Sequence, residues 1–149
     1  MSENLRNINR LEQTSTASWV DLHLDPVNGL AELKFSGKVT LDLINGSFLK
    51  LIDHPSFTTN MNACYDYSDA IIEVNMRDIE AHSQFVMQNL PKRGFNYKLA
   101  FVSNETLNNA LLNVYILKIS KSNVETKIFA KKKQASQWLA FITERNKKT

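Results

Sequence analysis

Three histidines, one cysteine and a short acidic run are the residues of this chain with the most chemistry to offer. His23, His54 and His82 match no zinc spacing, and no cysteine pair accompanies them. His23 falls on the polar side of an alternating run. His54 stands where a helix should end before Pro55, a place that favours partial positive charge. Cys64 lies in an apolar run, which suits a packing role better than a nucleophile. A single cysteine excludes an intrachain disulfide and fits a reducing compartment. Asp66, Ser68 and Asp69, with Glu73 beyond them, follow an expected strand at its carboxyl end, where ligands of α/β sheets usually bind. They form a candidate polar ligand loop, and a solvated turn is the simpler account of the same residues. No nucleophile elbow, Walker loop or dinucleotide glycine cluster occurs, and glycine totals only 4. The expectation is a protein that is not an enzyme, with no metal and no cofactor.

A second candidate is apolar. In the segment Leu107–Ile119, Leu107, Ala110, Leu111 and Val114 make one helical stripe. Leu112, Tyr115, Ile116 and Ile119 make another, about 100° away by helical period. A surface helix needs one such stripe. The second can lie in the core, meet a second copy of the chain, or line a pocket for an apolar ligand. Self-association as a homodimer is the expectation adopted for Leu112, Tyr115, Ile116 and Ile119, with a lipid-like ligand as the alternative.

The elements that must position these residues can be read from periodicity. Residues 19–25 and 30–36 alternate across the turn Pro26-Val27-Asn28-Gly29, which predicts an antiparallel hairpin. The run 37–40 should open a helix capped by Thr40, with Leu41, Ile44, Phe48, Leu51 and Ile52 on one stripe. Residues 61–66 read as a buried strand, and 66–69 as the polar loop leaving it. Asn75 should cap a helix that ends at Pro91 and Gly94. Residues 97–102 form a strand, and Ser103 or Asn104 should cap a helix to about Ser120. Residues 124–129 are the last strand, and a final helix carries Ala135, Trp138, Leu139 and Ile142 on one side. The order β-β-α-β-α-β-α-β-α implies parallel crossovers, hence an α/β fold with a mixed five-stranded sheet flanked by helices. One domain is expected over 18–144, between a flexible arm at 1–17 and a basic tail at 145–149.

Composition and charge narrow the classes further. The chain has 149 residues, 43% of them hydrophobic and 22% charged, an ordinary globular mix. Residues 118–149 hold nine of the 18 Lys and Arg against only Glu125 and Glu144, within a net charge of +3. A solvated helix face is the plain reading of this basic segment, and an anionic surface the sharper one. Nucleic acid is disfavoured, because no aromatics or glycine-rich loops interleave the basic residues. No run reaches the length of a membrane helix, and Met1 to Asn7 lack a signal peptide's apolar core. A cytoplasmic location is therefore expected.

Four short runs occur in order: Phe35-Ser36-Gly37-Lys38-Val39-Thr40, His54-Pro55-Ser56-Phe57, Tyr65-Asp66-Tyr67-Ser68, and Ile128-Phe129 followed by Ala135 and Trp138-Leu139. With them, residues 19–142 resemble the SpoIIAA-like bacterial proteins, often described as STAS/SEC14 domain-containing. The resemblance implies a compact α/β domain. Related domains act as anti-sigma antagonists, as cytoplasmic parts of anion transporters, or as lipid carriers, so it implies a binding or interaction module. Phosphoswitch members place a serine at the start of the helix after the central strand. Here Val74-Asn75-Met76-Arg77-Asp78 offers no hydroxyl, so no phosphoacceptor of that type is expected.

Overall fold

The computed structural model describes residues 18–148, with side chains through residue 140. The expected arm at 1–17 lies outside the described residues. Strands β1 (Trp19–Asp25) and β2 (Leu30–Val39) pair antiparallel, from Trp19↔Ser36 to Asp25↔Leu30. The turn between them is drawn tight by Asp25, whose carboxylate accepts from the Asn28 backbone N–H and side-chain amide, and by Gly29 at φ 62°. Helix α1 (Leu41–Ile52) follows, capped by the Thr40 hydroxyl, which accepts from Leu43 N–H. Then come β3 (Asn62–Ile72), α2 (Met76–Gln88), the one-turn α3 (Leu90–Arg93), β4 (Lys98–Val102), α4 (Thr106–Lys118), β5 (Glu125–Phe129) and α5 (Lys132–Lys148). The sheet runs β1-β2-β3-β4-β5, and every pairing after the first is parallel.

That order decides the layering. Three successive parallel crossovers stepping the same way, all of one hand, place α1, α2 and α4 on one face. The C-terminal helix α5 packs on the other, against β3, β4 and β5. Strand side chains alternate accordingly. Leu33, Phe35, Tyr65, Tyr67, Leu99 and Phe101 join the large core under the crossover helices. Cys64, Ala100 and Val102 meet Ala135 and Leu139 of α5 in a small one.

Several boundaries differ from the sequence reading. Residues 66–69 are not a loop. β3 continues through them with a bulge, since Lys34 pairs with Asp66 but Ser36 pairs with Asp69. The extra residue shifts the alternation, so Tyr67 and Ala70 both face the large core. Residues 37–39 belong to β2 rather than to the opening of a helix. Glu105, not Ser103 or Asn104, caps α4 by accepting from Asn108 N–H at 2.7 Å. Ser103 is buried, and its hydroxyl accepts from Glu105 N–H at 3.4 Å, which delays the helix start. α5 runs on to Lys148, through the segment expected as a tail.

Candidate functional site

The polar candidates come together, and they satisfy one another. Asp66 Oδ1 accepts from Ser68 N–H at 2.9 Å and from the Ser68 hydroxyl at 2.6 Å. Lys34 Nζ reaches Asp66 at 3.4 Å, Asp69 at 3.0 Å and the Ser68 hydroxyl at 3.2 Å. Burial alone would raise the Asp66 pKa, but the two bonds from Ser68 and the charge of Lys34 outweigh it and hold it below the ordinary value. The Asp69 hydrogen bond in turn raises the Lys34 pKa. This cluster locks the bulge between β2 and β3. Cys64 is buried on the same side of the sheet, and burial pushes its thiol up to about 12, far from a thiolate. Among the described residues no group of three His, Cys, Asp or Glu could hold a metal ion.

The apolar candidates sit elsewhere. Leu112 is buried, while Tyr115, Ile116 and Ile119 are half-buried and pack against the protein's own large core. The outward side of α4 carries Leu107 and Leu117, which are 57% and 73% exposed. Leu112 and Tyr115 also line a cavity of about 60 Å³ enclosed by the sheet and by α1, α2 and α4. Its walls are Ile44 and Phe48 from α1, Ile79, His82 and Val86 from α2, and Tyr65, Tyr67, Leu99 and Phe101 from the sheet. The half-buried Leu41, Val74 and Asp78 lie where α1 and α2 begin, at the carboxyl ends of the strands, and the half-buried Leu111 lines the wall from the middle of α4. The fully buried end is formed by Arg93 and Tyr97, below the start of β4.

The cavity lining is unusually rich in phenols. Tyr67 stacks on Phe35 at 4.7 Å between ring centroids, and Tyr115 meets Phe101 edge-on at 6.4 Å and His82 at 5.3 Å. Burial pushes Tyr65 up to about 12 and raises Tyr67, Tyr97 and Tyr115, so all four are neutral phenols near pH 7. His82 is held at Nδ1 by the Asn45 side-chain oxygen at 2.7 Å. With an oxygen as acceptor the proton sits on Nδ1, and burial drives the imidazole pKa down to about 4, which keeps the ring neutral.

Arg93 is the exception among these groups. It is 1% exposed, and its two terminal nitrogens have no hydrogen-bond partner. No carboxylate among the described residues pairs with it; Asp78, the one acid on the cavity wall, accepts from Asn75 N–H at 3.0 Å in the capping box of α2. The guanidinium carbon lies 3.5 Å from the centroid of the Tyr97 ring and 5.7 Å from that of Phe57. Burial lowers its pKa, but a guanidinium starts so far above neutrality that it stays charged. Such stacking is worth about 2 kcal/mol when desolvated, whereas an unpaired buried ion costs several kcal/mol.

The backbone around Arg93 is tightly specified. Asn60, at φ 73°, donates its N–H to Arg93 O at 2.9 Å, and its side-chain oxygen accepts from Phe95 N–H and Asn96 N–H at 2.9 and 3.0 Å. Gly94 follows at φ 106°, and a Cβ there would come 2.1 Å from Asn60 Oδ1. Glycine is therefore required, and the clamp fixes where Arg93 points. On the far side, Asn108 is fully buried. Its amide donates to Ala70 O and accepts from Ile72 N–H, both at 2.9 Å. β4 pairs with β3 only as far as Asp66, so Asn108 supplies the hydrogen bonds that a neighbouring strand would otherwise make.

Sequence reasoning named Leu112 and Tyr115 but missed Arg93, Tyr97 and Asn108. Tyr65 and Tyr67 were within reach, because spacing of two on a strand puts both rings on one face.

The whole arrangement of sheet and helices is similar to a crystal structure of an uncharacterized protein of the DUF3478 family from Shewanella loihica PV-4, which has a SpoIIAA-like fold. The match covers 82% of this chain and 93% of that one, with a TM-score of 0.54 and 15% sequence identity. The fold is SpoIIAA-like. A domain of unknown function, DUF7793, matches residues 70–143, the half of the SpoIIAA-like domain that holds Arg93 and α4. A search of curated proteins finds no match. Among the described residues, no helix is long and apolar enough to cross a membrane.

Proposed function

We propose that this SpoIIAA-like domain is a non-enzymatic binding module that takes an apolar ligand into the cavity between its sheet and its crossover helices. The observation that carries the reading is the cavity itself, a partly open, mainly apolar space of about 60 Å³ between the sheet and the crossover helices. Protein interiors leave few such spaces, because each void forfeits packing contacts. Its size is well under the roughly 150 Å³ that admits benzene, so the resting cavity suits a small ligand rather than a long acyl chain. The titratable groups on its walls support binding over catalysis. The phenols are pushed up, His82 is pushed down, and none is poised near neutral pH for proton transfer.

Xenon is a neutral probe for this reading. Under xenon pressure, the amide resonances of Tyr65, Tyr67, Leu112 and Tyr115 should shift together along one saturable curve. Absence of any saturable shift at these residues overturns the proposal.

A further inference from the structure

We infer that the ligand of this cavity is a short-chain carboxylate, bound with its head group on the guanidinium of Arg93 and its chain along the tyrosine-lined wall. The inference rests on the cavity being a ligand site, and it adds the charge and size of the ligand.

Two independent observations meet at Arg93. Both of its terminal nitrogens lack a partner although the residue is fully buried, and the residue forms the closed end of the cavity. A guanidinium stacked on a ring keeps its in-plane N–H groups free, and here Tyr97 takes one face at 3.5 Å. What remains is an edge that suits the two oxygens of a carboxylate. The clamp from Asn60 and the forced glycine at Gly94 hold that edge in place before any ligand arrives.

The rest of the wall selects against other anions. Apart from Asp78 at the mouth, the groups beyond Arg93 are hydrocarbon, phenol and a neutral imidazole. A phosphate carries up to two charges, and Arg93 is the single cation on this wall to balance them. A carboxylate carries one charge, and its alkyl chain matches the walls formed by Leu99, Phe101 and Leu112. On the scale by which roughly 150 Å³ admits the six heavy atoms of benzene, about 60 Å³ holds roughly two to three, the carboxylate and its first carbon. The cavity is open at one side, so the chain of butyrate extends toward that mouth.

The test is an NMR titration of the full-length protein with butyrate, its neutral isostere butyramide, and inorganic phosphate. Butyrate should bind about ten- to a hundredfold more tightly than butyramide, the ratio expected of a charge-assisted pair. Phosphate should not compete with it. In Arg93→Met, butyrate should fall to the level of butyramide, while Arg93→Lys, which keeps the charge and loses the planar edge, should fall between the two. Equal binding of butyrate and butyramide, with xenon still entering, overturns the carboxylate inference and leaves the apolar cavity reading standing. Tighter binding of phosphate than of butyrate overturns it as well. Failure of butyrate, butyramide and xenon alike overturns both. The wild-type ratio decides the matter even if a variant does not fold.

Discussion

The two faces of the sheet treat charge in opposite ways. On the face shared with α5, the cations are paired with acids or lie open on the surface, as Lys127 does over the Phe129 ring. Lys34 reaches Asp66 and Asp69, and Lys132 reaches Glu32 at 3.1 Å. That face is only partly covered, and its residues on β1 and β2 are the polar half of alternating strands. On the face under the crossover helices, the side chains are mainly aromatic and aliphatic, and Arg93, the one buried cation among the described residues, stands without an anion. A paired, half-solvated cluster holds a bulge in place. A charge sealed in an apolar core does nothing for stability that a hydrocarbon would not do better. The contrast therefore separates a paired polar cluster from an unpaired buried charge, the one on which the proposed carboxylate site rests.

Four measurements test this contrast. The largest effect is expected from Asn108→Ala, which leaves Ala70 O and Ile72 N–H unpaired in the core. Its unfolding free energy in urea should drop by about 2–4 kcal/mol. A drop below about 0.5 kcal/mol would mean that water replaces the amide and that the helix-covered face is less sealed than described.

The second reads the neutrality of that face through pH. The folded-state pKa of His82 is about 4, below the 6.5 of an unfolded histidine. Between those values the unfolded chain binds the extra proton, so stability rises with pH across this window and is complete above it. Acidification from pH 6.5 to 4 should cost about 2–3 kcal/mol from this residue, with some reduction because it is only half-buried. His82→Phe should flatten the slope, measured by denaturation at several pH values. An unchanged slope assigns the loss to other groups.

Third, Arg93→Met should raise stability by about 1–2 kcal/mol in the absence of ligand, since it replaces an unpaired buried ion with a flexible apolar chain. A loss instead would show that stacking on Tyr97 outweighs the cost of desolvation. The smallest change is expected from Lys34→Met on the opposite face. Lys34 is half-buried with its amine reaching solvent, and Asp66 keeps its two bonds from Ser68, so the loss should stay below about 1 kcal/mol. If Lys34→Met costs more than Arg93→Met changes in either direction, the two faces do not differ as described.

Periodicity along the chain is enough for the element order and most of the core. The alternation in 19–25 and 30–36 set the hairpin. The stripes of 41–52 and 76–88 set two crossover helices with their caps at Thr40 and Asn75. These signals are local, because periodicity and capping need only neighbours along the chain. Tertiary structure decided the rest. Asp66 to Asp69 look like a turn until β2 pairs with both sides of them and makes the turn a bulge. Leu112 and Tyr115 could face core, partner or ligand, and only the packing of α4 over β3 turned them into the cavity wall. Arg93 lies in Pro-Lys-Arg-Gly, a run that reads as an exposed helix end, and its neighbour Lys92 is indeed exposed, with Asp53 as its partner. No local pattern distinguishes the two cations. Arg93 is buried because Asn60, 33 positions earlier, binds its carbonyl and admits no Cβ at Gly94, and a contact made across that distance leaves no periodic trace in the sequence.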